Sequence, residues 1–160
     1  MKLSSKAKKI IYWLPALLWM VVIFVMGSVK VDFKGDNINI VSRVLLMIKS
    51  FLNRRGGGCS LCVFVSENLD RIYHVFEYFV FTFLVYYALK KTRGKRDSKE
   101  NYILAGMIVI LIGIFDELHQ ILTPTRFCSF FDLLADGFGM ALMTMFLILY
   151  ELKLGRRNAV

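Results

Sequence analysis

Apolar positions along the chain collect into four runs, and polar positions collect between them. The runs are about 10–27 (IIYWLPALLWMVVIFVMG), 71–89 (RIYHVFEYFVFTFLVYYAL), 102–122 and 130–150. Each matches the roughly 20 mostly apolar residues needed to cross the hydrocarbon core of a bilayer. A fifth stretch, INIVSRVLLMIKSFLN (38–53), has another pattern. Val41, Val44, Leu45, Ile48, Phe51 and Leu52 form a stripe at helical spacing, while Ser42, Arg43, Lys49, Ser50 and Asn53 face away. It is too polar to span and suits a helix lying in the headgroup plane or across the end of a bundle. The pattern predicts one all-α membrane domain over 1–160. Its fold class is a four-transmembrane-helix bundle, with an extracytoplasmic interfacial amphipathic helix in the 29–70 segment between the first two spans.

Composition sharpens this picture. Of 160 residues, 57% are hydrophobic and only 21% charged, with a mean hydropathy of +0.57. A soluble domain has nearer half apolar and a quarter charged residues. A cleaved signal peptide is the competing account of the first run, because Lys2, Lys6, Lys8 and Lys9 precede it and Gly27-Ser28 is small. The run is longer than a typical h-region and heavy in aromatics, which favours a retained helix.

The net charge of +9 is distributed by segment. Thirteen of the 21 basic residues lie in the N-terminal tail, in KKTRGKRDSKE (90–100) and in the KLGRR stretch near the C-terminus. An even number of spans places all three on one side, and the positive-inside rule makes that side the cytoplasm. The expected location is therefore the cell membrane, multi-pass, with both termini cytoplasmic and 29–70 outside. Topology and anionic headgroups account for the basic balance, so a nucleic-acid partner is not invoked.

The candidate chemistry sits in IFDELHQILTPTRFCSFFDLLADGFG (114–139) and in the second run. At 1.5 Å per residue, Glu77, Asp116 and Asp136 lie roughly 9–10 Å below the outer ends of three different helices. At 100° per residue, Arg71, His74, Glu77 and Tyr78 share one face. So do Ser129, Asp132 and Asp136, with Gly139 one turn deeper. Asp116 and Gln120 share a face with Gly113, flanked by Glu117 and His119. Ionisable groups at membrane depth face partners or cavities, so a polar pocket between the second, third and fourth helices is expected, open to the outside. Arg71 or Arg126 is the expected counter-charge, with interhelical locking as the purely structural account.

Cys59 and Cys62 form a lone CxxC beside a glycine run, with Cys128 expected on the same side. Without a second ligand pair, this favours a small disulfide or free thiols over zinc or redox catalysis.

RIYHVFEYFVF followed by DELHQILTPTRFCSFFDLLADGFG resembles the VanZ-like family of small bacterial membrane proteins. The matching positions are His74, Glu77, Tyr78, Asp116, Glu117, Gln120, Arg126, Asp132, Asp136 and Gly139. Thr82 departs from the pattern, standing near where the family often has glycine. The resemblance implies a cell-envelope protein associated with resistance to teicoplanin-like glycopeptides and lipoglycopeptides, and it assigns no catalytic residues. Some relatives carry an acyl-phosphate transferase label, but no phosphate-cradling glycine loop accompanies these residues.

Three functions remain open. As an enzyme acting on a lipid or lipid-linked glycan, the chain would use His74, Glu77, Asp116 and His119 as candidate acids and bases. Arg71, Tyr78, Glu117, Gln120, Arg126, Ser129, Asp132 and Asp136 would then bind. As a binder, it would hold a lipid-linked envelope precursor or the acyl tail of a lipoglycopeptide. As a proton-coupled transporter, it would use the same groups at one depth. The two histidines and the carboxylates are compatible with a metal, and the sequence specifies no cofactor and no oligomeric state.

Overall fold

The computed structural model describes residues 4–28, 43–44, 47–48, 50–51, 54, 64–65, 68–93, 98–122 and 129–157. Among these, all regular structure is helical. Four long helices run α1 (Ser5–Ser28), α2 (Leu69–Arg93), α3 (Ser98–Ile121) and α4 (Phe130–Arg157), each with a stretch long and apolar enough to cross a membrane. They overrun the apolar runs because solvated residues continue the helices beyond the hydrocarbon. Lys90, Lys91 and Arg93 do so at the end of α2, where cations also suit the helix dipole. Arg43, Val44, Met47, Ile48, Ser50, Phe51 and Arg54 are helical and exposed. The rest of the 38–53 stretch, expected to be an interfacial helix, and with it Cys59, Cys62, Arg126 and Cys128, lies outside the described residues.

α2 is the central helix, packed against the other three and most extensively against α4. Small residues make this possible. A Cβ on Gly139 of α4 would run into the Val75 carbonyl of α2, so the two backbones approach as only glycine allows. Thr82, at the position where the family pattern differs, is buried and donates its hydroxyl to the Tyr78 carbonyl at 2.7 Å. The apolar core runs through Ile23, Tyr78, Phe81, Val85, Val109, Met143 and Leu147. Leu17, Val21, Ile110, Leu111, Phe138 and Phe146 are exposed on the outside of the bundle, as lipid-facing side chains should be.

At the end carrying the chain termini, a polar clasp joins three helices. Tyr86 stacks on Tyr102 with ring centres 4.8 Å apart. The Tyr86 hydroxyl and the Lys90 ammonium both donate to Glu151 Oε1 at 2.5 Å. Arg93 and Glu100 pair at 3.1 Å, bridging the connection from α2 to α3. This clasp holds the helix ends in register and leaves the opposite end for the ionisable groups.

Candidate functional site

The up-and-down order brings the last turns of α1 and α3 to the same end as the first turns of α2 and α4. Each helix buries one stripe there. On α2 it is His74, Glu77, Tyr78, Phe81 and Thr82; on α3 it is Gly113, Asp116, Glu117 and Gln120. Spacings of three and four residues keep each set on one face. Asp136 completes the set from α4. His74, Glu77, Asp116, Glu117, Gln120 and Asp136 are each at most 3% exposed.

The contacts run between helices as well as within them. His74 Nδ1 lies 2.9 Å from Asp136 Oδ1, joining α2 to α4. Gln120 donates to Asp116 Oδ2 at 3.1 Å, and the Tyr73 hydroxyl donates to Glu77 Oε1 at 2.9 Å. Glu117 Oε2 accepts the Ser129 amide at 2.8 Å, while Ser129 Oγ accepts the Asp132 amide at 3.3 Å. Ser129 is thus the N-cap of α4, and Glu117 fixes that cap to α3. Asp132 is half-buried one turn nearer the bundle end than Asp136. His119 is half-buried with its ring edge-on to Phe24 of α1, centres 5.6 Å apart.

Of the two expected arginine partners, Arg126 lies outside the described residues and Arg71 does not pair with the cluster acids. Arg71 is exposed, donates to Asn68 Oδ1 at 2.6 Å and lies over the Phe131 ring. It sits in the first turn of α2, too near the solvated end to reach Asp136. His74 is close to one turn deeper and makes that contact instead. In the tautomer whose Nδ1 donates to the Asp136 carboxylate, Nε2 is the basic nitrogen, the arrangement an imidazole needs to accept a proton.

α1 closes the cluster, a role that its apolar sequence conceals. A Cβ on Gly27 would stand 2.8 Å from Asp116 Oδ1, so the absent side chain makes room for the carboxylate. Trp19 donates its indole N–H to the Glu77 carbonyl at 3.0 Å. Gly27 is the one glycine in the first apolar run, and a small residue inside a membrane helix was the available signal of close approach. Gly113 acts similarly on α3, since a Cβ there would lie 3.3 Å from Asp136 Oδ2.

Two overlapping groups bring possible metal donors within 4.8 Å of one another: His74, Glu117 and Asp136, all buried, and Asp70, His74 and Asp132, nearer the surface. Among the described residues, Asp116 Oδ1, Asp136 Oδ2 and the Tyr78 hydroxyl have no hydrogen-bond partner. The set can therefore accept protons, orient an imidazole and hold a cation or a donor-rich headgroup.

A family model described as VanZ/LLP1 matches residues 12–151, from the second turn of α1 to Glu151 of α4. No curated protein and no solved structure matches the chain.

Proposed function

The chain belongs to the VanZ/LLP1 family, and from that premise we propose that it works in the bacterial cell envelope. In this reading a polar pocket at the cluster binds or acts on a lipid or lipid-linked envelope component. By doing so it contributes to resistance against teicoplanin-type glycopeptides and lipoglycopeptides. The basic tails and the 90–100 loop favour cytoplasmic termini, which sets the cluster near the outer leaflet, where such drugs and their targets meet.

The observation that carries this reading is the buried set of His74, Glu77, Asp116, Glu117, Gln120 and Asp136. Magnitudes argue against scaffolding alone. Placing an Asp at the centre of a membrane helix costs roughly 2.5–3.5 kcal/mol. An interhelical polar contact returns about 0.6 kcal/mol on average. Several acids at one level are a poor lock and suit a binding or proton-handling site. His74, oriented by Asp136, is the candidate base; Asp116, Gln120 and Tyr78 supply hydrogen bonds. Arg71, exposed at the bundle end, suits a phosphate approaching along the headgroup plane.

The test is an alanine scan of the cluster in a susceptible bacterial host, reading drug susceptibility and membrane abundance together. An enzyme predicts that one or two substitutions abolish protection at normal abundance, whereas a binder predicts graded losses. Protection that disappears when the proton gradient is collapsed, with abundance unchanged, would favour transport. Protection unaffected by every substitution would refute a role for the cluster.

A further inference from the structure

We infer that His74, Glu117 and Asp136 form a binding site for one divalent transition-metal cation, of the Zn2+ or Mn2+ class, with Asp70 and Asp132 as its entry path. One imidazole and two carboxylates come from three different helices, and all three side chains are buried. The His74 Nδ1 to Asp136 Oδ1 separation of 2.9 Å suits two ligands sharing one ion, which takes the place of the Nδ1 proton that bridges them in the metal-free protein. Donors about 2.0–2.2 Å from a metal stand roughly this far apart at the right angles of octahedral coordination, and about 3.4 Å apart at the tetrahedral angles Zn2+ takes, which a small side-chain shift supplies. Asp136 Oδ2, buried and unpartnered among the described residues, leaves that carboxylate with coordination capacity to spare.

Charge balance points the same way. Among the described residues no lysine or arginine pairs with Glu77, Asp116 or Asp136, and Arg71 is held elsewhere. Buried carboxylates are neutralised, paired or bound to metal, and a dication compensates two of them at once. The nitrogen donor disfavours Mg2+ and Ca2+, which take oxygen ligands. The second donor group gives a route in. Asp70 is exposed, Asp132 half-buried and His74 buried, and their donor atoms lie within 4.8 Å of one another. A cation can thus pass from solvent to the inner set without leaving anionic oxygen.

The inference needs no assumption about what the protein acts on, because metal content is measured without activity. The full chain, purified in lipid nanodiscs and stripped with chelator, is dialysed against Zn2+ or Mn2+ and its bound metal quantified. About one ion per chain is expected. It should persist when Cys59, Cys62 and Cys128 are all changed to Ser and when Glu151→Gln alters the clasp at the other end. In Asp136→Asn and Glu117→Gln, affinity should fall more than the roughly 10–100-fold that loss of an outer-shell partner causes. Asp132→Asn should slow loading with the final content unchanged. A Co2+-loaded parent chain should show d–d absorption without a thiolate charge-transfer band, which tests the ligands even if the site variants misfold. Absence of stoichiometric metal in the parent, loss of metal with the cysteines, or a thiolate band would each overturn the site.

Discussion

His74 Nδ1 stands 2.9 Å from Asp136 Oδ1 and ties the central helix to the last one within the buried part of the bundle. Removing one partner leaves the other buried without its contact, whereas removing both leaves an apolar gap that neighbours can fill. His74→Leu and Asp136→Leu should each lower stability, by about 3–5 kcal/mol. The double variant should be less damaged than either single one. Equilibrium unfolding in detergent over the four-member cycle measures this, and strictly additive losses would remove the pair as a coupled unit.

Gly139 and Gly137 offer a paired test of helix approach. A Cβ at 139 meets the α2 backbone, while at 137 it meets nothing within 4 Å. Gly139→Ala should therefore destabilise by about 1–3 kcal/mol, as overpacking against unyielding atoms does. Gly137→Ala should be neutral, or stabilise by up to about 1 kcal/mol through helix propensity. Thermal melts should place Gly139→Ala below the parent and Gly137→Ala at or above it.

Gly27→Ala should displace the Asp116 carboxylate, because the new methyl would stand 2.8 Å from Oδ1. Protection against glycopeptide should fall while abundance changes little, since a flexible carboxylate yields more readily than backbone. Gly106→Ala, whose nearest neighbour would be Met140 sulfur at 3.7 Å, is the control expected to keep protection. Equal loss in both would detach α1 from the site.

Topology is tested by labelling. A cysteine at Thr92, near the end of α2, in a chain otherwise free of cysteine should resist an impermeant thiol reagent in intact cells. It should react once the cells are opened. Labelling in intact cells would reverse the bundle and place the acidic cluster at the inner leaflet.

Much of this architecture was legible in the sequence because membrane spans are written in composition. A run of about 20 apolar residues has few alternatives in a chain this short. The stripes on α2 and α3 were legible for a related reason, since His74, Glu77, Asp116 and Gln120 stand out against apolar neighbours. The partner of Asp136 was not. Arg71 and Arg126 are both near the helix ends by spacing, and only the packing of α2 on α4 reveals that His74 makes the contact. The span of α1 was legible but its part in the cluster was missed, because that part is a space at Gly27 and one indole N–H from Trp19. Neither changes the hydrophobic pattern. The capping role of Glu117 was equally hidden, since it depends on where α4 begins relative to the end of α3.

The most direct measurement is drug susceptibility of a bacterial host expressing Asp136→Asn, matched for membrane abundance against the parent and against Glu151→Gln. Asp136→Asn keeps the side chain's shape and removes its charge at the buried cluster; Glu151→Gln makes the same change at the opposite end. The account predicts that Asp136→Asn abolishes protection against a teicoplanin-type drug while Glu151→Gln retains it. Parent-level protection from Asp136→Asn at equal abundance would contradict a working role for the cluster.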